Sequence, residues 1–213
     1  MAQIYFISGI DTDAGKSYAT GWLARRYMEQ GLKVVTMKFI QTGCEEFSED
    51  IAVHRAIMGT GDLDDDLSHL TAPIVLTYPA SAQLAAAKDG VKIDLGVIDD
   101  ALSRLAERYD VVLIEGAGGL MVPITDDFFA IDYPRTRGFE VILVTNSRLG
   151  SINHTVLSLE AIRSRGMRLH SVLYNKFFDS DRLISADTRG FVERYVKRYF
   201  PGTEVMDVPA IEQ

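Results

Sequence analysis

Gly9-Ile10-Asp11-Thr12-Asp13-Ala14-Gly15-Lys16-Ser17 follows the apolar run Ile4-Tyr5-Phe6-Ile7. A buried strand that runs into a glycine-rich turn, then Gly-Lys-Ser, then a helix builds a cradle for phosphate. Backbone N–H groups of the turn and the helix N-terminus point at the anion, the Lys ammonium reaches the terminal phosphates, and the Ser hydroxyl ligates Mg²⁺. The stretch therefore predicts a nucleoside triphosphate site. Its spacing, Gly-x₅-Gly-Lys-Ser, is one residue longer than the common Gly-x₄-Gly-Lys-[Ser/Thr]. Asp11 and Asp13 put carboxylates into a loop that attracts anions, which opposes phosphate binding unless they serve something else.

Working outward, four further segments read as strands: Val34–Phe39, Val111–Glu115, Val141–Thr145 and Ser171–Tyr174, with Glu204–Val208 as a short sixth after Ile4–Ser8. They are short, β-branched and apolar on both faces, as strands covered on both sides must be. Helical patterns alternate with them over Ser17–Gln30, Leu95–Arg108, Asn153–Arg165 and Leu183–Tyr199. Strand and helix in alternation predict an α/β fold, one parallel sheet with helices on both faces, in a single domain spanning residues 1–213. The acidic stretch from Gly43 to Ser68 resists assignment, and Asp62–Asp66 reads as a solvated loop or helix start.

Composition sets the outer limits. A chain of 213 residues, 47% hydrophobic and 24% charged, is long enough to bury a proper core. A formal charge of −8 argues against nucleic acid or an anionic membrane as main partner. Cys44 is the single cysteine, so no intrachain disulfide can form, which suits a reducing compartment. No run reaches the roughly 20 apolar residues of a membrane span, and the expectation is a cytoplasmic protein.

In parallel α/β sheets ligands sit beyond the carboxyl ends of the strands, and the reactive residues fall there. Strand two ends in Lys38, followed by Thr42-Gly43. Alone, Lys38 reads as a snorkelling surface group; beside the phosphates it is a second cation for transferring phosphoryl charge. Strand three ends in Glu115-Gly116-Ala117-Gly118-Gly119. Four apolar residues and then a carboxylate is the form of a motif that holds Mg²⁺ directly or through water. Asp50, before the helical stretch Ile51–Met58, is either an N-cap or a second Mg²⁺ carboxylate. Asn153 reads as a helix cap, His154 as a packed or solvent-facing helix residue, and Asn175 as a turn residue or a reader of a base edge. His54, His69 and His170 show no metal-ligand spacing.

Together the motifs resemble the dethiobiotin synthetases, from residue 4 to about residue 176. Gly9 to Ser17 is similar to the family's Gly-Thr-Asp-Thr-[Glu/Asp]-x-Gly-Lys-Thr, extended spacing included. Lys38 with Thr42-Gly43, Glu115-Gly-Ala-Gly-Gly119 with Val122-Pro123, and Leu149-Gly150-Ser151-Ile152-Asn153-His154 follow in the family's order. The resemblance implies ATP-dependent carboxylation and ring closure of 7,8-diaminopelargonic acid with CO₂, through a carbamate and a carbamic–phosphoric anhydride. It implies Lys16, Lys38, Thr12 and Asp13 as catalytic residues. Nucleotide would be held by Asp13, Ala14, Gly15, Lys16, Ser17, Tyr18, Glu115, Gly118 and Asn175, the last at adenine. Substrate would be held by Thr12, Lys38, Thr42, Gly150, Ser151 and Asn153, and Mg²⁺ by Ser17, Asp50 and Glu115. It also implies a homodimer in which the segment around Asn153 reaches the neighbouring subunit's site. An acid in the phosphate loop then suits a site that receives an amine.

The match has departures. Phe39 stands where the family commonly has Pro, and Ser81-Ala82-Gln83 where Ser-Pro-His is frequent. The chain ends at Val208-Pro209-Ala210-Ile211-Glu212-Gln213, where many members carry a longer tail around the base, so looser nucleotide selectivity is expected. The rival readings are a ParA/MinD-type dimeric switch ATPase, a small-molecule kinase and a non-enzymatic nucleotide-binding module. The switch class needs an early loop Lys, where this chain has Ile10 and Asp11. A kinase needs an Arg-rich lid, for which only Arg135, Arg137 and Arg148 are candidates, and a binding module leaves Lys38 and Glu115 together unexplained.

Overall fold

The computed structural model describes residues 2–210. In chain order the elements are β1 (Gln3–Gly9), α1 (Lys16–Glu29), β2 (Val34–Lys38), β3 (Gln41–Thr42), α2 (Glu49–Met58), α3 (Asp64–Leu67), β4 (Val75–Leu76), α4 (Ala82–Asp89), α5 (Leu95–Ala106), β5 (Val111–Gly119), β6 (Pro123–Thr125), β7 (Phe128–Phe129), α6 (Asp132–Arg137), β8 (Glu140–Asn146), α7 (Ser151–Ser164), β9 (Leu169–Asn175), a 3₁₀ turn (Lys176–Phe178), α8 (Arg182–Tyr199) and β10 (Glu204–Val208). Six of the strands form one parallel sheet in the order β10-β9-β8-β1-β5-β2.

Strand alternation divides the core. On one face Phe6, Val35, Met37, Val112 and Ile114 pack against Ile98, Leu102 and Leu105 of α5. Further along that face Leu143 and Val172 meet Leu159 and Ile162 of α7 and Val192 and Val196 of α8. The opposite face, with Ile7, Leu113, Val144 and Leu173, is covered by Ala19, Leu23 and Ala24 of α1. Successive strand residues point to opposite faces, so a strand that is apolar throughout is covered on both. The α/β fold read from the sequence is the one observed.

The boundaries differ where polar or glycine residues continue an element. β5 runs past Glu115 through the glycines to Gly119, which pairs with Gly9 of β1. α7 opens at Ser151 rather than Asn153, with Gly150 as its N-cap, so Asn153 is not the cap. Asp50 is not a cap either: Ser48 caps α2 by accepting from the Ile51 N–H at 3.2 Å. The acidic stretch folds into α2 and α3. Its Asp66 is no solvated charge, since it receives two bonds at 2.8 Å from the buried Arg55 guanidinium. Among the described residues no helix is long and apolar enough to cross a membrane. Residues 211–213 of the expected tail departure lie outside the described residues.

Candidate functional site

The loop between β1 and α1 leaves a helix end open. Gly15 is the N-cap of α1 in the left-handed conformation (φ 87°), without a side-chain cap, and no acidic residue occupies the first turn. The first N–H groups of a helix have no intrahelical acceptors, so an uncapped start presents orphan donors and the positive end of the helix dipole. A Cβ at Gly15 would collide with the Asn175 amide. Asp13 also sits in the left-handed region, at φ 56°, which an Asp tolerates far better than a β-branched residue. The exposed Asp11 carboxylate folds back along the loop, Oδ1 accepting from the Thr12 N–H at 2.8 Å and Oδ2 lying 3.7 Å from His154 Nδ1.

Lys16 Nζ donates to the Asp11 carbonyl at 3.2 Å and lies buried. Burial pulls its pKa below the ordinary lysine value, and the Glu115 and Asp50 carboxylates nearby do not restore it. An ammonium in that condition gains from an added anion.

Lys38 and Glu115, at the carboxyl ends of β2 and β5, are register partners in the sheet. Lys38 Nζ donates to Glu115 Oε1 at 2.9 Å and pairs with Asp50 Oδ2, on the first turn of α2. Ser17 Oγ, from the first turn of α1, donates to Asp50 Oδ1 at 2.7 Å and is 3.0 Å from Glu115 Oε1. Glu115 has no exposure. Burial alone pushes its carboxyl up, but the Lys38 charge and the His54 hydrogen bond outweigh burial and hold it well below the usual carboxylate range. Lys38 is likewise disfavoured by burial, yet Glu115 and Asp50 raise it above its ordinary value. Lys38 is therefore no snorkelling surface group.

A cavity of about 290 Å³ gathers Thr12, Asp13, Gly15, Lys16, Ser17, Tyr18, Lys38, Thr42, Asp50, Glu115 and Gly118. Nearly the whole set read from the loop and the strand ends thus converges. Beside it lies a second cavity of about 460 Å³ that shares Asp13, Gly15 and Tyr18 and adds Arg148, Asn175, Phe177 and Phe178. Asn175 Oδ1 accepts from the Phe177 N–H at 3.0 Å, and Nδ2 lies 3.4 Å from the Ala14 carbonyl. Part of the Asn175 amide is thus spent on the turn and the loop, leaving one N–H and one lone pair for a ligand.

Gly150, Ser151 and Asn153 line neither cavity. They form the start of α7, again uncapped, with the buried Ser151 hydroxyl lacking a partner. Leu149 beside them is 86% exposed. Ser81, Ala82 and Gln83 also stay out of the cavities: Ser81 caps α4 and Gln83 donates to Asp126 at 2.6 Å. Of the three candidate lid arginines, Arg137 is tied to Asp99 and Arg135 to Asp132, and Arg148 alone lines the second cavity, so no arginine-rich lid forms among the described residues.

Sequence reasoning set His54 aside for want of metal-ligand spacing, and passed over Phe177 and Phe178. His54 is fully buried, and its Nε2 is 2.6 Å from Glu115 Oε2. The available signal was its spacing: His54 follows Asp50 by one helical turn, so both face the same side of α2. Phe177 and Phe178 were legible only as an aromatic pair after a strand.

An oxygen set of one hydroxyl and two carboxylates suits a hard divalent cation such as Mg²⁺. Among the described residues no three His, Cys, Asp or Glu side chains group around one point. Mg²⁺ usually keeps waters and takes phosphate oxygens, so Ser17, Asp50 and Glu115 fit it as partial donors. The uncapped helix and the depressed Lys16 fit a triphosphate.

Comparison with known proteins bears on this site. A family model described as an AAA domain matches residues 3–213. The chain is similar to the ATP-dependent dethiobiotin synthetase BioD 2 of Pasteurella multocida, 45% identical over 99% of this chain and 100% of the relative. The BioD 2 of Haemophilus influenzae is 49% identical over 86% of this chain and 96% of its own. The BioD of Chlorobaculum tepidum is 46% identical over 97% and 87%. Among solved structures, a ParA family ATPase from Chlorobium tepidum superposes with a TM-score of 0.56 at 15% identity, covering 98% of this chain and 86% of that one. The chloroplast FtsY of Physcomitrella patens gives 0.58 at 18%, covering all of this chain and 60% of that one. At such identities the likeness shows a shared P-loop NTPase-like fold and no shared activity.

Proposed function

The chain belongs to the ATP-dependent dethiobiotin synthetases, and on that premise we propose how its residues divide the work. The enzyme is an ATP-dependent cyclo-ligase of biotin synthesis. One amine of 7,8-diaminopelargonic acid attacks CO₂ and loses a proton to give a carbamate. A carbamate oxygen attacks the γ-phosphorus of ATP and ADP departs. The second amine then attacks the carbamoyl carbon of the mixed anhydride, phosphate leaves, and the ureido ring is closed.

Lys16 and the open N-terminus of α1 hold the phosphates, and Lys38 faces the transferring phosphoryl group and the carbamate. Positioned cations act where charge moves, without reorganising at the moment of reaction. Ser17, Asp50 and Glu115 hold Mg²⁺, which when bound neutralises phosphate charge. Thr12 and Asp13 line the diamine, and Thr42 adds a hydroxyl. Ala14 contributes backbone to the nucleotide, Tyr18 and Gly118 line its path, and Asn175 with the Phe177–Phe178 pair receives the base. The observation that carries this assignment is the Lys38–Glu115–Asp50–Ser17 cluster beside the uncapped loop helix.

The start of α7 binds the substrate carboxylate in a neighbouring subunit of a homodimer. Support comes from the unpartnered Ser151 hydroxyl, the exposed Leu149, and the absence of Gly150, Ser151 and Asn153 from the two cavities around the phosphate loop and Asn175. Residues 1–213 act as one domain in the cytoplasm, a reading supported by the free, buried Cys44. Incubation with the diamine, bicarbonate, ATP and Mg²⁺ tests the assignment: dethiobiotin and diamine-dependent ADP are expected. Lys16→Ala should abolish both products, and an undiminished yield would overturn the role of the loop.

A further inference from the structure

His54 stands outside every role assigned so far, yet it touches the most buried charge in the site. Its ring has no exposure, Nε2 meets Glu115 Oε2 at 2.6 Å, and Nδ1 has no partner. Because Glu115 is ionised, the imidazole must be the donor in that bond. The other carboxylate oxygen, Oε1, accepts from Lys38 Nζ at 2.9 Å and lies 3.0 Å from Ser17 Oγ. The two oxygens of Glu115 therefore have separate duties.

We propose that His54 is a positioning residue for the metal side of the site, fixing the Glu115 carboxylate so that Oε1 alone faces Ser17 and the cation. A carboxylate at a strand end turns freely about its last torsion unless both oxygens are engaged. Outer hydrogen-bond partners of ligating groups set orientation in this way. The same helix carries Asp50 one turn earlier, so the docking of α2 places both carboxylates at once. Gly21 of α1 permits that docking: a Cβ there would stand 3.2 Å from His54 Cα and 3.0 Å from Ile57 Cβ. The proposal rests on Asp50 and Glu115 being the metal-side carboxylates.

The test titrates Mn²⁺ by electron paramagnetic resonance into the intact protein with a non-hydrolysable ATP analogue, for wild type, His54→Leu and His54→Gln. Leu fills the space without a donor, and the Gln amide reaches about as far as Nε2. His54→Leu should weaken Mn²⁺ by about tenfold or more, while binding of the analogue in EDTA stays unchanged. His54→Gln should recover most of the affinity. Wild-type Mn²⁺ affinity in His54→Leu, or equal losses in both variants, would make His54 a packing residue and overturn the proposal. If circular dichroism shows His54→Leu unfolded, the comparison passes to His54→Gln against His54→Asn, whose shorter amide must lose the metal while the Gln variant keeps it. Equal affinity in that pair would also overturn it. Glu115→Gln separates the premise: unchanged Mn²⁺ binding in that variant would remove the metal-site reading itself.

Discussion

Lys38 and Glu115 are opposite one another in the β2–β5 register, and the same two residues form the ion pair at the centre of the site, 2.9 Å apart. The sheet itself therefore holds the pair. Two neighbouring parallel strands place a cation and an anion side by side with no loop to order first.

Removing Lys38 should expose how much the pair matters to the fold. Lys38→Met removes the cation that Glu115 and Asp50 share, and breaking a buried pair costs about 3–5 kcal/mol. For a chain of this size that is a fall of roughly 10 °C in melting temperature. Mg²⁺ should restore more of it in the variant than in wild type. Thermal melts with and without Mg²⁺ decide the matter; equal melting points would refute it.

The placement of Asn153 makes a mixing experiment possible. Lys16→Ala and Asn153→Ala should each be inactive alone. If Asn153 serves a neighbouring subunit, exchanging subunits between the two variants creates mixed dimers with one intact site each. Random exchange should return roughly a quarter of wild-type turnover by dimer symmetry. No recovery after verified exchange would place Asn153 in its own subunit's site.

Phe177 is 60% exposed at the edge of the cavity that holds Asn175, and Arg148 lies 3.9 Å over the Phe178 ring. Stacking of a base on an aromatic side chain contributes about 1–3 kcal/mol. Phe177→Ala should weaken ATP by roughly five- to 150-fold on that basis, and leave inorganic tripolyphosphate binding unaltered. Calorimetry with both ligands tests this, and a matching loss for tripolyphosphate would show damage to the phosphate loop instead.

Asp66 gives a pH dependence of known sign. Burial raises its pKa, but the Arg55 bonds and the Thr71 and Leu63 bonds prevail and lower it below 3.8. A group with a depressed folded pKa adds stability above its unfolded pKa, and that stability is lost as pH falls through the folded value. Denaturant midpoints should therefore fall below about pH 4. In Asp66→Asn the component of that fall due to this group should vanish, and stability at pH 7 should drop by about 3–5 kcal/mol because Arg55 is left buried and unpaired. An unchanged acid limb would refute the assignment.

The parts legible in the sequence were those written locally. The loop, Lys38 and Glu115 each end an apolar strand, so a few adjacent residues state both the element and its chemistry. Asp50 left two readings open because capping depends on which residue turns first, and Ser48 does. α6 contains Pro134 and spans six residues, and β6 and β7 are shorter still; none is long enough to repeat its hydrophobic period twice. His54 meets a partner 61 positions away, a relation that exists only after α2 docks. Asn153 is the reverse case: its motif was plain, but its own chain brings it to neither cavity.

β1 is made first and yet lies inside the sheet, flanked by β5 on one side and β8 on the other. Until Asn146 has been synthesised, the strand that leads into the phosphate loop has at least one bare edge. At about 5–20 residues per second that interval is on the order of ten seconds. An apolar strand with an open edge pairs readily with other chains. A nascent chain is thus open to edge pairing until β8 has been added, and nucleotide, whose loop is held by that same strand, cannot shorten the interval.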